Sequence, residues 1–135
     1  MLPVVYVLED DRAAQAIVAK TLRTAGFEVV ASDQWPLVSQ QLLGDPRDAI
    51  LVCDLGLVGI RGEDFCRVVQ QHRPDITVVL FSGAEGDEVN RVSQRLGGVP
   101  WLLKAQGVEA LRDLLRSLHR SRSGKWRAVL PREDI

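Results

Sequence analysis

Five short apolar runs, each followed by a stretch with helical spacing, constrain this chain more than any other feature. Residues 4–8 are apolar throughout, as expected for a strand buried on both faces. Residues 12–25 place Ala14, Ile17, Val18, Thr21 and Ala25 at helical spacing, and Gly26 ends the helix where a left-handed cap is cheapest for glycine. Residues 27–31 read as a weaker strand. Ser32 or Asp33 is the expected cap of a short helix over 36–43, and Gly44-Asp45-Pro46 is loop chemistry. A third strand over 49–53 stops at Asp54, and residues 56–62 form a loop. Residues 63–71 are helical, with Phe65, Cys66 and Val69 on one side, until His72-Arg73-Pro74 breaks the pattern. The fourth unit pairs a strand over 77–81 with a helix over 87–96 whose apolar stripe is Val89, Val92 and Leu96. The fifth pairs 100–103 with a helix over 108–120.

Repeated β/α units imply parallel strands joined by right-handed crossovers, with helices on both faces of one sheet. The 135 residues suffice for one domain with a real core, assigned to 1–120, while 121–135 reads as a tail or the start of a linker. A formal net charge of −1 supplies no global field toward nucleic acid or membrane, so direct nucleic-acid binding by this domain is not expected. No apolar run approaches the ~20 residues of a membrane span, and the first residues lack a basic leader with a cleavage site; a cytoplasmic location is expected. Cys53, Cys66, His72 and His119 do not assemble into a four-ligand zinc site, and the two thiols read as buried and reduced.

In open parallel sheets ligands bind beyond the carboxyl ends of the strands. After the first strand come Glu9, Asp10 and Asp11, after the third Asp54, after the fourth Ser82 and after the fifth Lys104. Acids so gathered repel one another and recruit a cation; a hard divalent ion with oxygen ligands, Mg²⁺, suits them. Such an ion neutralises and orients a transferring phosphoryl group, and Lys104 adds a fixed positive charge for its oxygens. Ser82 offers a hydroxyl to a phosphoryl oxygen, and Asp54 is a candidate nucleophile. Asp11 also has a structural reading, as a helix N-terminal acid.

At these positions the chain resembles the receiver domains of response regulators. Val7-Leu8-Glu9-Asp10-Asp11 is similar to their acidic-pair segment, Leu51-Val52-Cys53-Asp54-Leu55-Gly56-Leu57 to their acceptor segment, Leu80-Phe81-Ser82-Gly83-Ala84 to their switch segment, and Trp101-Leu102-Leu103-Lys104 to their final aromatic-x-x-Lys. The resemblance implies a flavodoxin-like (βα)5 fold, a five-stranded parallel sheet of order 2-1-3-4-5. It also implies phosphotransfer to Asp54 from a sensor histidine kinase or phosphotransfer protein, a signalling rather than enzymatic role, and Mg²⁺ near Glu9, Asp10, Asp54 and the Gly56 backbone carbonyl. It implies a switch through Ser82 and Trp101 to an unidentified downstream protein. The chain departs from the pattern at Val58 and Ala105, where many receivers have proline, and at Trp101, where Tyr or Phe is usual. Without proline, the Lys104–Ala105 peptide is expected to be trans and the loop after it rearranged.

Three other readings compete for the same residues. A Mg²⁺-dependent aspartyl-phosphate hydrolase needs an acid two residues after the nucleophile, where this chain has Gly56. A flavin mononucleotide binder needs a phosphate-binding loop after the first strand, where Glu9-Asp10-Asp11 repel phosphate. A degenerate receiver binding proteins without phosphorylation is the remaining alternative, opposed by the intact cluster.

Overall fold

A computed structural model describes residues 2–122. Five strands, β1 (Val4–Leu8), β2 (Glu28–Ser32), β3 (Ala49–Cys53), β4 (Thr77–Ser82) and β5 (Trp101–Leu103), alternate with α1 (Arg12–Thr24), α2 (Trp35–Gly44), α3 (Gly62–His72), α4 (Gly86–Arg95) and α5 (Val108–Arg122). All strand pairs are parallel and the order is β2-β1-β3-β4-β5, the flavodoxin-like arrangement expected. Because β1 and β3 are neighbours while β2 lies outside β1, the chain reverses direction across the sheet between them. That is the topological switch point at which such folds build their sites.

The central strands β1 and β3 are buried at every position, which explains their unbroken apolar sequences. Alternate side chains feed two cores. Tyr6, Leu8, Leu51, Cys53 and Leu80 pack with α2, α3 and α4 through Val38, Leu42, Phe65, Val69, Val89 and Val92. Val5, Val7, Ile50, Val52, Val79 and Phe81 pack on the other face with α1 and α5 through Val18, Leu22, Leu111 and Leu115. Both cysteines are buried and free.

Local chemistry explains most helix ends. Asp11 caps α1 by accepting from the Ala13 and Ala14 amides at 3.0 and 3.3 Å, and Gly26 follows its C-terminus at φ +101°. The cap expected for α2 is corrected. The helix begins one residue earlier than the proline suggested, its N-cap is Gln34 without a side-chain bond, and Ser32 Oγ instead accepts the Gln34 amide at 2.9 Å as a turn. Pro36 then lies within the first turn, where its missing N–H costs nothing. Beyond β5 the chain makes a short 3₁₀ turn, Lys104–Gln106. No cis peptide occurs among the described residues, in line with the trans Lys104–Ala105 bond expected. The last helix runs to Arg122, past the domain end set at 120; the tail assigned to 121–135 otherwise lies outside the described residues.

At the end of the sheet away from the strand carboxyl ends, a polar knot ties the loops. The Tyr6 hydroxyl donates to Asp45 at 2.6 Å, Arg47 clamps the same carboxylate, and Arg73 donates to the Leu42 carbonyl at the end of α2. Hydrogen bonds from Arg47 hold the Asp45 carboxyl well below the usual carboxylate range, and burial followed by the Asp45 bond pushes the Tyr6 phenol up to about 12.

Candidate phosphoacceptor site

The strand ladder carries two acids directly into the site. The Asp54 amide donates to Leu8 O at 3.1 Å, and the Glu9 amide to Ser32 O at 3.1 Å. Both residues therefore extend their strands by one position, and both are buried, at 8% and 3% exposure. Lys104, just past β5, reaches back between them. Its Nζ lies 2.7 Å from Glu9 Oε1 and 3.1 Å from Asp54 Oδ2. Ser82 ends β4 and is also buried, its Oγ accepting the Ala84 amide at 3.1 Å. Asp54, Gly56, Ser82, Ala84, Glu88 and Lys104 line one open cavity of about 270 Å³. The structure thus brings together the carboxylate, hydroxyl and ammonium expected from four separate segments.

The electrostatics follow from burial. Loss of water raises the Glu9 carboxyl pKa, and the Asp54 charge adds to this, while Lys104 and the Asp11 amide oppose it. Burial also works against the Lys104 ammonium, but Glu9 and Asp54 more than offset it and its pKa is raised. Lys104 is accordingly held as a cation between the two carboxyl groups.

Asp10 Oδ2 accepts the Val58 amide at 2.6 Å, and Asp10 lines a cavity of about 410 Å³ with Trp35 and Val58. Among the described residues no three His, Cys, Asp or Glu side chains stand together as a metal-binding group. The donor chemistry still fits a hard divalent cation. Glu9 and Asp54 offer carboxyl oxygens, Asp10 is adjacent in sequence to Glu9, and Gly56 shares the Asp54 cavity. Asp11 belongs to the helix cap instead.

Three features escaped the sequence. A Cβ on Gly62, the first residue of α3, would overlap the Asp54 carbonyl oxygen and sit 2.7 Å from Leu55 Cα. The loop glycine is thus what lets α3 start against the acceptor's own backbone. Glu88, in the first turn of α4, lines the phosphoacceptor cavity. Glu63 of α3 takes Arg95 of α4 at 2.7 and 2.8 Å, and Gln70 donates to Leu96 O at 2.9 Å, so the C-terminal end of α4 is tied to α3. A loop glycine and scattered surface charges carried no signal for these contacts, because each depends on which helices become neighbours. Trp101 is half-buried on β5, across from Leu80, whereas Leu103 stands directly across from Ser82.

Comparison with known proteins agrees with this geometry. The family model described as "Response regulator receiver domain" matches residues 5–116. The chain is 32% identical over 98 residues to the phosphate regulon transcriptional regulatory protein PhoB of Rhizobium meliloti (strain 1021), covering 68% of this chain and 40% of PhoB. It is 26% identical over 124 residues to the alkaline phosphatase synthesis transcriptional regulatory protein SphR of Synechococcus elongatus, covering 86% of this chain and 48% of SphR. It therefore spans less than half the length of either relative. In fold it superimposes on a CheY-like receiver domain protein of Methanospirillum hungatei with a TM-score of 0.82, at 15% identity over 93% of this chain and 99% of that one. A response regulator receiver protein of Pseudomonas putida gives 0.77, at 23% identity over 87% and 98%. The chain belongs to the response regulator receiver domain family, the signalling modules of two-component systems.

Proposed function

We propose that Asp54 accepts a phosphoryl group from the phosphohistidine of a sensor histidine kinase or phosphotransfer protein. The observation that carries this is the buried Asp54 carboxylate, 3.1 Å from Lys104 Nζ in a cavity it shares with Ser82. An Asp54 oxygen forms the new O–P bond as the P–N bond to the donor imidazole breaks, and the imidazole leaves with the electron pair. Lys104 stays charged throughout and faces the phosphoryl oxygens, while Ser82 Oγ, one strand away, hydrogen-bonds one of them. Small residues Gly56, Gly83 and Ala84 leave the mouth open to the donor side chain. Glu9, Asp10, Asp54 and the Gly56 carbonyl would hold Mg²⁺, which would supply neutralising charge for the transferring group.

The output runs from Ser82 through β5. A phosphoryl group draws the Ser82 hydroxyl from the Ala84 amide, and Leu103 and Trp101 repack beside α4, changing a face read by a downstream protein in the cytoplasm. Among the described residues no helix is long and apolar enough to cross a membrane.

The test is incubation with a small phosphodonor and Mg²⁺, followed by intact mass. One added phosphoryl group is expected on the wild type and none on Asp54→Asn, whose near-isosteric amide keeps the fold but lacks the nucleophilic oxygen. Equal phosphorylation of the variant would overturn the assignment.

A further inference from the structure

Lys104 is the first residue beyond β5, and two hydrogen bonds bracket its backbone. On the strand side the Leu103 amide donates to Gln106 Oε1 at 2.9 Å; on the helix side the Gly107 amide donates to the Lys104 carbonyl at 3.1 Å. Together they close the 3₁₀ turn Lys104–Gln106, and Gly107 at φ +92° leads from it into α5. The second bond is backbone to backbone, so only the first depends on a particular side chain. Its acceptor must be the amide oxygen of Gln106, because a backbone N–H needs an acceptor. Leu103 is also the last residue of a three-residue strand, paired with Ser82. Ala105 has no ring to fix its φ, which leaves the shape of the turn to these bonds.

We propose that Gln106 is a positioning residue for phosphoryl transfer: its side-chain oxygen, by holding the Leu103 amide, fixes the turn from which Lys104 reaches Glu9 and Asp54. This rests on the reading of Asp54 as the phosphoacceptor. Lys104 Nζ stands 2.7 Å from Glu9 Oε1 and 3.1 Å from Asp54 Oδ2. A long, flexible side chain keeps two such contacts at low entropic cost only when the backbone that carries it is held. Gln106 is exposed and is not among the residues that line the Asp54 cavity. It therefore acts through the turn on Lys104, without touching the reacting atoms.

The experiment measures the rate of phosphorylation by phosphoramidate with Mg²⁺, followed by intact mass, in the full chain. Wild type is compared with Gln106→Glu, Gln106→Met and Gln106→Ala. Glutamate keeps an acceptor oxygen at the same reach, whereas methionine keeps the length of the side chain with only a weak acceptor. The rate is expected to fall about fivefold in Gln106→Met and Gln106→Ala, the worth of one ordinary hydrogen bond, and to stay within about twofold of wild type in Gln106→Glu. The substituted side chain is exposed, so the fold is expected to survive each change. A second comparison places Gln106→Ala in a Lys104→Ala background, where it should lower the residual rate no further.

A Gln106→Met protein as fast as the wild type overturns the proposal, because the stem of the side chain and not its oxygen would then be at work. A fivefold loss in Gln106→Glu overturns it as well. So does a Gln106→Ala effect as large in the Lys104→Ala background as in the wild type, since the effect would then bypass Lys104. Each of these results leaves Asp54 standing as the acceptor. No phosphorylation of any of the proteins, wild type included, overturns both readings.

Discussion

At the scale of single residues, the acceptor is placed by its neighbours' smallness as much as by its own chemistry. Asp54 follows a fully buried strand, and its carbonyl oxygen is covered at once by the first turn of α3. Only glycine permits that approach at position 62. Gly62→Ala is expected to destabilise the protein by about 2 kcal/mol or more, because the new methyl meets backbone that cannot move without displacing the acceptor. Urea denaturation checks this; a loss below about 0.5 kcal/mol, within the range of ordinary surface substitutions, would show the loop to be free to shift. Glu9, Asp10 and Asp11 look alike in sequence, yet Glu9 is buried against Lys104, Asp10 accepts the Val58 amide and Asp11 caps α1.

At the scale of elements, α4 is anchored at one end. Arg95 and Gln70 bind its C-terminal end to α3, while its N-terminal turn, with Glu88, borders the phosphoacceptor cavity. Hydrogen bonds from Arg95, aided by Arg67, hold the Glu63 carboxyl down to about 2 against the opposing effect of burial. An unfolded glutamate titrates near ~4.3, so this folded-state depression stabilises the protein fully above that pH and is lost as the pH falls toward 2. Arg95 is half exposed, and solvent screening limits the contribution to about 1 kcal/mol. Glu63→Gln should therefore cost about that much at neutral pH, with the difference from wild type shrinking below about pH 4 and lost as the pH falls through about 2. Parallel chemical denaturation across pH 2–7 measures it, and a difference independent of pH would mean that packing, not charge, links the two helices.

At the scale of the whole molecule, the site and the half-buried Trp101 lie on neighbouring strands: Ser82 is paired with Leu103, and Trp101 with Leu80. On the switch proposed above, a change at the hydroxyl reaches the tryptophan diagonally through one intervening side chain. With Trp35 and Trp126 replaced by Phe, phosphorylation should change Trp101 emission, and Ser82→Ala should remove most of that change. An unaltered spectrum on a protein verified as phosphorylated would eliminate this route and leave the acceptor assignment intact.

The alternation of buried strands and amphipathic helices, the single-sheet α/β class and the strand-end position of Asp54, Ser82 and Lys104 were all determined by the sequence alone. Those properties depend on short-range periodicity and on the rule that parallel strands present their carboxyl ends to one side. The tertiary structure alone decided which charges meet. Lys104 bridges residues 9 and 54, Arg95 reaches Glu63, Gly62 makes room for the Asp54 carbonyl, and the Val58 amide donates to Asp10. Most of these contacts join segments tens of residues apart at distances of a few ångströms. They depend on helix packing and loop direction, which local pattern does not encode.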